Sequence, residues 1–162
     1  ITAPHINYSG NELDSLTFLM DTDKESFNFN LGFKNITAGP LDVPKTRITG
    51  NQINNELSLN FLSYHDGEKL LNVNTKITGN RERIKLTINP DSLVLNKSKW
   101  SIPRTNEILL TKGNLVFKDL KHSKANQSIE ITDKLANITK PHVAIDYTNF
   151  KISEVFNYLN PE

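Results

Sequence analysis

Apolar and polar residues alternate one for one along much of this chain, and that period of two limits its fold more than any other feature. It is plain in SFNFNLGF, where Phe27, Phe29, Leu31 and Phe33 take every second place. It returns in ELSLNF (Leu57, Leu59, Phe61), RIKLTI (Ile84, Leu86, Ile88) and SIEIT (Ile129, Ile131). Successive side chains of a strand point to opposite faces, so each run is a strand with one apolar face. Shorter runs of the same kind occur at Leu16, Phe18 and Met20, at Val73 and Ile77, at Leu93 and Leu95, at Leu115 and Phe117, and at Val143, Ile145 and Tyr147. Turn-forming groups such as His65–Glu68, Asn89–Ser92 and Lys112–Asn114 separate them. The pattern predicts about ten short strands. Helical spacing occurs only in SEVFNYL, where Ser153 caps a turn or two that places Val155, Phe156 and Leu159 on one side.

A repeat is laid over this alternation. TRITGN (Thr46–Asn51) returns as TKITGN (Thr75–Asn80), an offset of 29 residues, and at the same offset ELSLN (Glu56–Asn60) matches KLTIN (Lys85–Asn89). That length suits two strands with their turns, so the unit reads as a hairpin. Thr and Ile suit the pleat, and Gly-Asn is expected to end each strand in a turn of positive φ. Repeated hairpins extend a sheet, whose apolar face then needs a cover. A second sheet would make a β-sandwich with the apolar rows as core. Alternatively the sheet curls and its inner face holds an apolar ligand. Periodicity alone does not choose.

Composition narrows the partners. With 19 Lys plus Arg against 18 Asp plus Glu, nothing selects nucleic acid by bulk charge, and none is expected as a partner. There is no cysteine, so neither disulfides nor thiolate chemistry operate. No window reaches the ~18 consecutive apolar residues of a membrane-spanning helix. The opening ITAPHINYSG has neither an initiator Met nor a charged-then-apolar leader, the expectation being a processed or excised piece.

Motifs of catalysis are scarce. DTDKES (Asp21–Ser26) begins like a calcium loop, but Ser26 stands where that loop needs Gly and Gly32 where it needs Glu, so it reads as a solvated turn. His5, His65, His122 and His142 show no metal-ligand spacing. There is no Gly-x-Ser-x-Gly and no phosphate-binding glycine loop. NKSKWSIPR could stack a base on Trp100 between Lys97, Lys99 and Arg104, but the balanced charge favours a Trp that closes one end of the sheet. A non-enzymatic chain without cofactor or metal is the expectation.

At Trp100 a longer pattern emerges. The stretch KWSIPRTNEILLTKGNLVFKDLKHSKANQSIEI (Lys99–Ile131) resembles the Trp-x-Ile-Pro, Asn-x-Ile, apolar strand and Gln-x-Ile-x-Ile order of TamB-like proteins of the AsmA/TamB superfamily from Bacteroidetes. Trp100, Ile102, Pro103, Asn106, Ile108, Leu115, Phe117, Gln127, Ile129 and Ile131 carry it. LDSL (Leu13–Leu16) and the stretch from Val143 to Pro161 are similar to the family's strand leads and its Asn-Phe bend with a short helix. The charged KHSKAN (Lys121–Asn126) departs from the pattern.

The resemblance implies a fold and a task. The fold is an elongated, strongly curved, mainly antiparallel sheet forming an open trough over residues 1–162, one segment of a longer repetitive chain. The task is lipid transport: the inner face binds phospholipid acyl chains between inner and outer membrane. The full-length protein would be anchored in the inner membrane, cross the periplasm, and assemble outer-membrane proteins with an Omp85-type barrel partner. On this view Phe27, Phe29, Leu31, Phe33, Leu57, Leu59, Phe61, Ile84, Leu86, Ile88, Leu115, Phe117, Ile129, Ile131, Val143 and Ile145 line the groove. An open apolar strip or free sheet edge also favours dimers. The competing expectation is a secreted β-sandwich that binds protein or glycan through its loops.

Overall fold

A computed structural model of the chain describes residues 1–39, 41–150 and 153. The first strands are β1 (Thr2–Tyr8), β2 (Asn11–Thr22), β3 (Ser26–Phe33), β4 (Asn35–Ala38), β5 (Leu41–Val43) and β6 (Thr46–Ile53). After them come β7 (Glu56–His65), β8 (Glu68–Gly79), β9 (Arg83–Ile88), β10 (Val94–Leu95) and β11 (Ser98–Lys99). The last are β12 (Glu107–Thr111), β13 (Asn114–Lys118), β14 (Lys121–Lys124), β15 (Gln127–Thr132) and β16 (Ala144–Thr148). The chain is all-β, with more strands than alternation suggested because bends divide long ones. Of the helix expected over 153–159, all but Ser153 lies outside the described residues.

Register shows how the large sheet grows. Phe33 faces Thr46 and Ile36 faces Val43, so β3 with β4 and β5 with β6 are the two arms of one long hairpin, bent at Lys34 and at Pro44–Lys45. On the other side β2 runs along both β3 and β4 without slipping, Thr17 opposite Gly32 and Asp14 opposite Asn35. From β1 to β9 the sheet is therefore an antiparallel meander, each arm hydrogen-bonded to the next, and β12 and β13 continue it beyond β9. It is open: β1 and β13 lie at opposite sides of the strand order.

The repeat does map onto two hairpins, β6–β7 and β8–β9, but its glycines do different work. Gly79 ends β8 at a φ of 135°, and Asn80 N donates to Arg83 O at 2.9 Å to close the turn. Gly50 instead sits inside β6, opposite Phe29 and Leu59, and the chain turns only at Asn54–Asn55. The expectation that Gly-Asn ends the strand thus fails in the first copy. There the missing side chain makes room for the Phe29 ring, from which any Cβ would stand 2.0 Å.

Between β9 and β12 the chain leaves the sheet. β10 takes the place beside β8 that β9 has vacated, Val94 opposite Asn72, and pairs with β11. Asn106 repairs the gap this opens: its carboxamide accepts from Ile88 N (2.7 Å) and donates to Ile88 O (2.8 Å) and Pro103 O (2.7 Å). A buried side chain here replaces a missing strand neighbour.

A second sheet of β14, β15 and β16 follows, joined to the first part by a two-way backbone bridge between Ser101 and Ser123. The buried apolar cluster lies where these pieces meet. Leu93, Trp100, Ile102 and Leu120 form its centre, with Val73, Ile88, Ile108 and Phe117 from the large sheet and Ile129 and Ile131 from the small one. Each fully buried aliphatic or aromatic chain there contributes about 1.5–3 kcal/mol relative to exposure. Trp100 also donates its indole N–H to Leu95 O at 3.2 Å. It lies inside the cluster between the two sheets, with Lys97, Lys99 and Arg104 outside in water.

Candidate functional site: the apolar face of the large sheet

Residues directly opposite in an antiparallel pair share a face, so the register turns isolated alternation into rows. One row runs Phe27, Gln52, Leu57, Ile77, Leu86, Ile108 and Phe117 across seven strands. At the usual strand spacing it is ~29 Å long. A second runs Leu31, Ile48, Phe61 and Val73. Between them lies Met20, Phe29, Gly50, Leu59, Thr75 and Ile88. A short fourth row joins Gly79, Ile84, Leu110 and Leu115. No charged residue stands in any of the four. The ion pairs Glu56–Lys76 (2.8 Å) and Lys85–Glu107 (2.7 Å) occupy alternate positions, on the opposite face. Lys85 beside Glu107 holds that carboxyl below its usual range.

The predicted groove residues divide into three groups. Phe27, Phe29, Leu31, Phe33, Leu57, Leu59, Phe61 and Leu86 stand half-buried along these strands. Ile88, Phe117, Ile129 and Ile131 do not line an open groove; they pack into the cluster between the two sheets. Ile129 and Ile131 come from the small sheet and Ile88 and Phe117 from the large one, so each sheet covers the other's apolar positions there. Ile84, Leu115, Val143 and Ile145 are exposed, by 39%, 40%, 55% and 51%. Leu115 and Val143 border one hollow, near Pro141 and His142, away from Phe27.

The face is therefore roofed at one end and bare at the other. At the bare end a groove of about 520 Å³ opens, within the usual size range of ligand sites. Phe27, Leu57, Ile77 and Ile84 line it. Asn54 and Asn55 of the β6–β7 turn and Asn80 and Arg81 of the β8–β9 turn stand at its border, and Gln52 turns its amide to Asn54 O at 2.6 Å.

Sequence reasoning missed the other face. There a hollow of about 680 Å³ is bordered by Asn28, Asn51, Ser58, Asn60, Asn74 and Lys76, among others. Its carboxamides are linked: Asn51 donates to Asn28, Asn60 to Asn72 at 3.0 Å, and Asn74 to Ser92 Oγ at 2.6 Å. The signal was present as Asn recurring in the phase opposite to Phe and Val, as in FNFN and NVN. Of the acidic loop, Asp23 accepts from Glu25 N, Ser26 N and Ser26 Oγ, a turn-stabilising role that also lowers its pKa.

The chain matches no protein-family model, no curated protein and no solved structure.

Proposed function

We propose that the bare part of the apolar face binds phospholipid acyl chains, and that the chain is a trough-like, lipid-conducting segment of a TamB-like envelope protein. The carrying observation is the apolar groove floor of Phe27, Leu57, Ile77 and Ile84, continuous with uncharged rows that cross the sheet. Apolar contact holds a chain by about 0.8 kcal/mol per CH₂ removed from water. An open face covers only one side of the tail, and ordering costs reduce the total further, so binding is weak and permits sliding. Along the bare part of the face the repeated hairpins β6–β7 and β8–β9 offer apolar residues in the same phase, which suits transport better than storage. The resemblance in the Trp100–Ile131 region adds the setting: periplasm, inner-membrane anchor and an outer-membrane barrel partner of the Omp85 type.

A phospholipid with a photoreactive tail tests this by peptide mapping. Labelling of Phe27, Leu57, Ile77 or Ile84 is expected. A second reading, a β-sandwich module for protein or glycan, draws on the roofed end and the Asn-lined hollow. Under that reading the tail labels neither face, and an oligosaccharide protects the Asn60 and Asn74 region in hydrogen exchange.

A further inference from the structure

We propose that Arg81 selects the phosphate head of the lipid whose tail lies in the groove, an inference that rests on the acyl-binding reading above. Three cations of the large sheet and its neighbouring loop are paired. Lys76 is held by Glu56 at 2.8 Å, Lys85 by Glu107 at 2.7 Å and Arg104 by Asp91 at 2.7 Å. Arg81 has no ion pair and no side-chain hydrogen bond among the described residues, although Glu82 follows it in sequence. Among the described residues it is also the one cation bordering the apolar groove.

Its position is fixed by the backbone. Asn80 Oδ1 accepts from Glu82 N (2.9 Å) and Arg83 N (3.1 Å), which pins the hairpin tip that carries Arg81. Across the groove the border is Asn54 and Asn55, which carry no charge. The result is an apolar floor with a single unpaired positive charge at one end. An amphiphile with an apolar tail and an anionic head matches that arrangement. A guanidinium presents a planar fork of N–H donors to two phosphate oxygens, which a neutral glyceryl head without phosphate cannot accept in the same way. Ile84, Leu110 and Leu115, all exposed and in one row, extend the apolar surface beside it. A tail too long for the groove has somewhere to go.

The test compares two probes with the same tail, anionic lysophosphatidylglycerol and neutral monopalmitoylglycerol, on the full chain by calorimetry below their micelle concentrations. Wild type should prefer the anionic probe by about threefold to fivefold, the scale of an exposed ion pair. The preference should shrink with added salt. It should vanish in Arg81→Gln and persist in Arg83→Gln, whose side chain belongs to the other face. Equal affinity for the two probes in wild type, or a preference that Arg81→Gln leaves intact, overturns the proposal while the acyl groove stands. If neither probe binds wild type, the acyl-binding reading fails and this proposal fails with it.

Discussion

The Phe29 ring fills the space that a side chain at Gly50 would need, a Cβ there standing 2.0 Å from its Cε1. Gly50→Ala is therefore expected to destabilise the protein by about 1–3 kcal/mol, as over-packing does. Phe29→Leu should partly restore it, because the obstacle is a side chain. At Gly79 the obstacle is Arg83 O, also at 2.0 Å, and φ is 135°, so no neighbouring side-chain change should rescue Gly79→Ala. Urea unfolding of the single and double variants checks both statements; equal rescue at the two glycines contradicts them.

Asn106 is 2% exposed and serves both backbone groups of Ile88. Asn106→Ala leaves buried polar groups unpaired and should cost about 2–4 kcal/mol. Asn106→Asp should be no better, since a carboxylate cannot donate to Ile88 O or Pro103 O and would carry a buried charge. Amide exchange at Ile88 should rise in both variants. Unchanged protection there would show that Asn106 is not the strand's substitute neighbour.

His122, 9% exposed and opposite Ile129 on β15, has its pKa pushed down chiefly by burial. The unfolded chain then binds a proton that the folded one refuses, so this group lowers stability as pH falls below its ordinary value of 6.5. His5 has the opposite sign, its pKa raised by the hydrogen bond to Asp14, and favours the folded state below 6.5 until pH rises through its folded pKa. Stability measured between pH 7.5 and 5 should fall less steeply in His122→Phe than in wild type, the His5 contribution being common to both. Identical slopes would remove His122 from the account.

Trp100 is the sole tryptophan and lies at 2% exposure between the two sheets. Trp100→Ala should cost about 3–5 kcal/mol. In the wild type its fluorescence reports on this junction alone. The milder Leu120→Val should redshift that emission at lower urea than the unfolding followed by far-ultraviolet dichroism if the small sheet separates first, and coincident transitions would make the two sheets one cooperative unit.

Alternation made the strands and their apolar phase legible, because side-chain direction follows from position along a strand. Phe27 to Phe33 fall in β3, and Leu57 to Phe61 in β7, as read. What alternation does not encode is cover. Ile129 and Ile84 sit in similar patterns, yet one packs into the cluster and the other is exposed, since that depends on which sheet arrives from elsewhere in the chain. The Gly50 misreading has the same origin: a local Gly-Asn signal was overruled by an aromatic ring from a neighbouring strand. Asn recurring on the polar face says nothing alone about its contacts, and only the register reveals linked carboxamides over a hollow.

The central claim is that the bare apolar face carries lipid. Its most direct test is mass spectrometry of an organic extract from the protein, exported to a bacterial periplasm and purified without detergent, beside Ile84→Glu and Ile53→Glu. Both positions are exposed, at 39% and 52%, so both variants should fold, but Ile53 belongs to the opposite face. The account predicts phospholipid in near-stoichiometric amount with wild type and Ile53→Glu and its loss from Ile84→Glu. Folded wild-type protein without lipid, or equal lipid on all three, would contradict it.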